Sequence, residues 1–156
     1  MPKTALFFNS RNNYKLFEDL FFASTEQDFT NYPIYNVDLR SNEENRKIYD
    51  GLVEKYGIID VPVDWLTDEL PEKDKMSAAH CMLACLDKIA RDESTARTRR
   101  SKRLEWLIWT SHDIKLIDNN FLERFEAFID KNPRFNEEVC VIGFKDWGTN
   151  HENIPV

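Results

Sequence analysis

The chain has 156 residues, which at about 100–200 residues per domain is one domain. Hydrophobic residues make up 42% and aromatics 13%, which excludes a disordered chain, and a domain this long buries about 68–70% of its unfolded surface. Twenty-eight acidic residues against twenty-one basic ones give a net charge of -7, which excludes a uniformly basic nucleic-acid footprint.

Thr4 to Asn9 is a short apolar run ending in polar residues, the signature of a buried strand. From Asn13 to about Ala23, Leu16, Phe17, Leu20 and Phe21 recur at helical spacing. Tyr32 to Asp38 reads as a second strand with Pro33 at its start. Ser41 and Glu44 have capping-box spacing, and Ile48, Tyr49, Leu52, Val53 and Tyr56 form an apolar stripe that Gly57 terminates. Ile58 to Val61 is a short third strand, followed by the irregular, acidic stretch Pro62 to Lys73. A helix from about Lys75 to Arg91 is expected to bury Met76, Ala79, Leu83, Leu86 and Ile89.

The basic run Ala96 to Arg103 reads as a solvated loop, with a second use as an attractor for an anionic acceptor. Leu104 to Thr110 is the most strand-like segment of the chain. Asn120 with Glu123 is expected to cap a helix carrying Phe121, Leu122, Phe125, Phe128 and Ile129, ended before Pro133. Val139 to Phe144 is a fifth strand, and the residues after Gly148 read as tail. Strand and helix therefore alternate. Right-handed crossovers then give an α/β fold with a mostly parallel open sheet and helices on both faces.

No stretch approaches the ~18 consecutive apolar residues of a membrane span, and Thr4 to Phe8 is too short for a signal peptide. Three cysteines make no disulfide framework, so a reducing, cytoplasmic setting is expected. Cys81 and Cys85, four apart on one helix beside His80, read as small buried core residues more readily than as a soft-metal site. The only glycines are Gly51, Gly57, Gly143 and Gly148, too scattered for a GxGxxG or Walker phosphate loop. A phosphorylated ligand must be held by other means.

Ligands of open α/β sheets bind beyond the carboxyl ends of the strands, where strand order reverses. That rule selects Asn9, Ser10 and Arg11 after strand one, Asp38 and Arg40 after strand two, Ser111, His112 and Asp113 after strand four, and Lys145 and Asp146 after strand five. A hard divalent ion accepts one or two carboxylates together with substrate phosphates, and Asp113 could supply one. The plainer role for His112 and Asp113 is to close a loop. Trp106 and Trp109 are expected to pack on the sheet, with the one near the strand end able to stack on a sugar or base. Trp65 is expected to be an exposed aromatic.

Phe8-Asn-Ser-Arg11, Tyr35-Asn-Val-Asp38 with Ser41, Lys75-Met-Ser-Ala-Ala-His80, Trp106 to Ile114, and Asn119-Asn-Phe-Leu-Glu-Arg-Phe running to Asn132-Pro133 occur in that order. Together they resemble the nucleotide-sugar-binding half of GT-A fold glycosyltransferases of the family 2 type. The likeness covers residues 1–148 as one nucleotide-sugar-binding domain, with 149–156 as a C-terminal tail. It implies a Rossmann-like GT-A nucleotide-binding fold, minimal or truncated. It also implies a metal-dependent transferase acting on a nucleotide-diphosphate sugar, UDP-linked by preference, with no nucleic-acid partner and possible homo-oligomerisation.

By the same resemblance Asn9 and Arg11 line the nucleotide pocket and Asp38 bonds the base, uracil. Lys75 and His80 face the nucleotide or the sugar, with Ser111 and His112 beside them. Asp113, the last acid of the family's DxD motif, binds Mn²⁺ or Mg²⁺. Two departures stand out. Ser111 occupies the place of the first DxD aspartate, and the chain stops shortly after strand five, where relatives continue into an acceptor-binding half with the catalytic base. The alternative is therefore a non-catalytic nucleotide-sugar-binding module that needs a partner chain. A receiver-type signalling domain fits poorly, because Asn9-Ser10-Arg11 replaces the paired acids it needs after strand one.

Overall fold

The computed structural model describes residues 4–63, 78–95 and 104–135. Four strands form one sheet in the order β3-β2-β1-β4: β1 Thr4–Ser10, β2 Ile34–Asp38, β3 Ile59–Asp60 and β4 Trp106–Thr110. Every pairing is parallel, with Leu6 opposite Ile34 and Ile108, and Tyr35 opposite Ile59. The expected α/β architecture is present: a parallel open sheet flanked by helices. The expected fifth strand lies outside the described residues, as does the tail. Among the described residues no helix is long and apolar enough to cross a membrane.

Alternation along β1 divides the core. Leu6 and Phe8 face one side with Ile34 and Ile108, under three helical segments: α1 (Tyr14–Phe17), α2 (Glu43–Tyr56) and α4 (Phe121–Lys131). Ala5 and Phe7 face the other side with Tyr35 and Val37, under α3 (Ala78–Thr95). Burial on both faces is what a parallel sheet requires, and it explains why β1 reads as an unbroken apolar run.

Several local expectations are corrected. The first helix is regular only over Tyr14–Phe17, and Glu18–Phe22 continues it as a π-turn closed by the Ala23 amide on the Glu18 carbonyl, 2.8 Å. The wider turn brings Phe17, Phe21 and Phe22 all inside, with Phe8 4.8 Å from the rings of both Phe17 and Phe21. Of the apolar positions read at helical spacing, Leu16 is exposed. The N-cap of α2 is Asn42 and not Ser41: its side chain accepts from the Asn45 amide at 2.9 Å. Gly57 ends α2 as expected, in the left-handed region at φ 66°, which favours glycine.

On α3 the sheet-facing residues are Cys81, Ala84, Cys85 and Ile89, whereas Ala79 is exposed and Leu83 and Leu86 are 54% and 47% exposed. Both cysteines are free and fully buried, as the core reading held. Met76 lies outside the described residues. On α4 the core face is Leu122, Phe125 and Ile129, and Phe128 points outward. Asn120 makes no side-chain cap there. Gln27, buried and far away in sequence, caps the helix instead by accepting from the Leu122 amide at 3.2 Å while donating to both Glu123 oxygens at 3.0 Å.

Candidate functional site

β1 connects to β2 on one side, whereas β4 returns to the other side of β1, so strand order reverses between β1 and β4. The crevice beyond their carboxyl ends is where an open α/β sheet binds its ligand. Two clusters of polar side chains flank it, one at the ends of β1, β2 and β3 and one at the end of β4.

The first lies on the α1 and α2 face at the ends of β1, β2 and β3. Its centre is Asp38, whose side chain is only 6% exposed. Asp38 Oδ1 accepts from Tyr14 Oη at 2.6 Å and from Ser41 Oγ, while Oδ2 accepts from Arg46 Nη1 at 3.3 Å. Ser10 Oγ donates to Asn36 Oδ1 at 2.8 Å and lies 2.9 Å from Tyr14 Oη. Arg46 reaches onward to Asp60 at 3.2 Å and Asp50 at 2.9 Å, and Tyr49 Oη donates to Asp60 at 2.8 Å. The rings of Tyr14 and Tyr49 stack at 4.7 Å, and the Arg46 guanidinium sits 4.9 Å from the Tyr49 centroid.

Burial, reinforced by Asp38, holds the Tyr14 phenol above its usual pKa; burial and then the Asp60 charge do the same for Tyr49. Burial also works against the Arg46 charge, but Asp60, Asp38 and Asp50 outweigh it and raise its pKa.

The same cluster fixes the loops. Asn12 donates its amide to Ser41 Oγ at 2.7 Å, and the Asn42 amide donates to Asn12 Oδ1 at 2.9 Å. Three non-glycine residues in these loops are left-handed: Asn12 at φ 54°, Asn13 at 55° and Arg40 at 56°. Such backbone persists only where surrounding contacts over-determine it, and here the two loops hold each other.

The second cluster lies at the end of β4. Trp109 is 51% exposed, on the α3 face, and its Nε1 donates to Asn9 Oδ1 at 2.8 Å. Ser111 Oγ donates to Asp113, which is exposed, so both lie on the turn after the strand. The half-buried His112 ring meets Phe17 edge-on at 6.2 Å, and burial lowers its pKa against the opposing charge of Asp113. Among the described residues no group of three or more His, Cys, Asp or Glu side chains could hold a metal ion.

Sequence reasoning thus located the strand ends, and the structure pairs Asn9 with Trp109, Ser111 with Asp113, and Asp38 with Ser41. Arg11 is exposed on the loop after β1, and His80 is half-buried near the start of α3. Lys75, Trp65, Lys145 and Asp146 lie outside the described residues. Tyr14, Arg46, Tyr49 and Asp60 were missed. The available signal was a tyrosine opening a helix just after β1, with an Arg–Tyr pair on the helix after Asp38.

No family model matches the chain, and no curated protein matches it. Two solved structures of S. aureus TarS, a glycosyltransferase, resemble it in fold. One, comprising residues 1–349, matches at TM-score 0.52 and 17% identity over 84% of this chain and 33% of that one. The other matches at TM-score 0.53 and 18% identity over 83% of this chain and 20% of that one. The chain therefore spans a third or less of those proteins and shares with them a glycosyltransferase-like fold.

Proposed function

We propose that the chain binds a nucleotide-diphosphate sugar, UDP-linked by preference, across the crevice between β1 and β4, and acts as a metal-dependent glycosyltransferase domain. The observation that carries this reading is the strand order: it gathers Asn9, Arg11, Asp38 and Asp113 at one end of the sheet, around the point of reversal. In this reading Asp38 bonds the base, in a wall where Tyr14, Ser41 and Arg46 already hold its carboxylate. On the same reading Arg11 meets the diphosphate, and Lys75, His80, Ser111 and His112 contact the nucleotide or the sugar.

Asp113 suits a hard divalent ion: it is an exposed carboxylate, and Mg²⁺ or Mn²⁺ takes one protein carboxylate plus phosphate oxygens and water. When bound, the ion neutralises charge on the departing nucleotide diphosphate. With no group of three or more His, Cys, Asp or Glu side chains able to hold a metal among the described residues, an ion at Asp113 would be completed by the donor's phosphate oxygens. That same observation, with Ser111 bonded to Asp113, favours the second reading, a nucleotide-sugar-binding module that needs a partner chain for transfer.

Calorimetric titration of UDP, UDP-glucose, GDP and ADP, with and without Mn²⁺, tests the donor site on wild type and Asp113→Ala. The expected result is UDP binding tightened by metal in wild type only. No nucleotide binding under any condition would refute it. Sugar transfer to an added acceptor by the chain alone separates transferase from module.

A further inference from the structure

We infer that Trp109 is a stacking platform for the pyranose ring of the donor sugar, with its indole oriented by Asn9; this rests on the donor-site reading above. Trp109 is the last but one residue of β4, half-exposed at the crevice. Its N–H is spent on Asn9 Oδ1, so what the indole offers a ligand is its ring face. The negative face of an aromatic ring attracts the weakly positive C–H groups of an apolar surface, and the C–H face of a pyranose presents such groups. Asn9 keeps its amide Nδ2 as a donor for a hydroxyl, since only its oxygen is used by Trp109.

The fold argues for sugar over base. Asp38 follows Ser10 and Asn36 on the α1 and α2 face, whereas Trp109 belongs with Phe7 and Asn9 on the α3 face. β2 and β4 also flank β1 on opposite sides. A base accepted by Asp38 is therefore out of reach of Trp109. A donor laid across the strand ends brings its diphosphate over β1 and its sugar to β4.

The test compares UDP with UDP-glucose, with Mn²⁺, on wild type, Trp109→Ala, Trp109→Phe, Asn9→Ala and the Asn9→Ala/Trp109→Phe double variant. Trp109→Ala is expected to weaken UDP-glucose about three- to tenfold, the range for an aromatic face contact, and to leave UDP within about twofold. Trp109→Phe should keep most of the sugar increment. Asn9→Ala should lower that increment more in wild type than in Trp109→Phe, which has no N–H to orient. The fluorescence difference between wild type and Trp109→Phe should shift to shorter wavelength with UDP-glucose and not with UDP. An unchanged ratio of UDP-glucose to UDP affinity in Trp109→Ala overturns the platform and leaves the donor site standing. Absence of UDP binding to wild type removes the donor site and the platform with it.

Discussion

The contact between Tyr14 and Asp38 offers the sharpest test of how the crevice wall is held. Tyr14→Phe removes one hydroxyl from a fully buried site and leaves the ring stack with Tyr49 in place. The lost bond is a 2.6 Å O–H donation to a carboxylate, a charge-assisted geometry, and such bonds contribute about 1.5–3 kcal/mol. Asp38 retains Ser41 and Arg46, which places the expected loss in the lower half, about 1.5–2 kcal/mol. At this chain length each kcal/mol lowers Tm by about 2–4 °C. The assay is urea denaturation of wild type, Tyr14→Phe, Asp38→Asn and the double variant. In the Asp38→Asn background the neutral acceptor reduces the cost of Tyr14→Phe to about 0.5–1 kcal/mol, for a coupling of about 1 kcal/mol. A Tyr14→Phe loss below about 0.5 kcal/mol, or strict additivity, refutes the charge-assisted hub.

Gln27→Ala removes the cap of α4 together with the bonds to Glu123, and should cost about 1–2 kcal/mol in urea denaturation, with no change in the native circular dichroism. Burial pushes the Cys85 thiol up to about 12 and Cys81 upward, so iodoacetamide should leave both unlabelled in the native chain; peptide mapping that finds them labelled would mean that α3 does not pack on the sheet. Burial pushes Tyr32 and Tyr35 up to about 12, against 10.0 for an unburied phenol. The unfolded chain therefore sheds these protons first, and the stability they contribute, complete below pH 10, is lost as pH rises through 10 to 12. The urea midpoint should fall as pH rises from about 10 to about 12, and a flat profile there would contradict the burial.

The strands were legible because β1, β2 and β4 are nearly continuous apolar runs, and such runs have few other fates in a helix-alternating chain. Which face of a helix turns inward was less so. α3 presents Cys81, Ala84 and Cys85 to the sheet and leaves Leu83 and Leu86 outside, since small residues let the helix approach closely; counting large side chains selects the wrong stripe. Ser41 has the spacing of a cap, but Asp38 captures its hydroxyl and Asn42 takes over. The Gln27 cap spans 95 positions and leaves no local trace. In the candidate site, Asp38 was visible from its place at a strand end. Its partners Tyr14 and Arg46 come from two helices that only the fold brings together, and no spacing rule joins them.

The mutual grip of the loops after β1 and β2 has a thermodynamic consequence. Asn12, Ser41 and Asn42 are already locked, so the entropy of ordering that wall is settled during folding and not again when a ligand arrives. Affinity at this end of the sheet is thereby tied to the integrity of the fold. Substitutions far from any ligand, at Tyr49 or Asp60 for instance, would loosen the wall and surface as weaker binding with a larger entropic penalty.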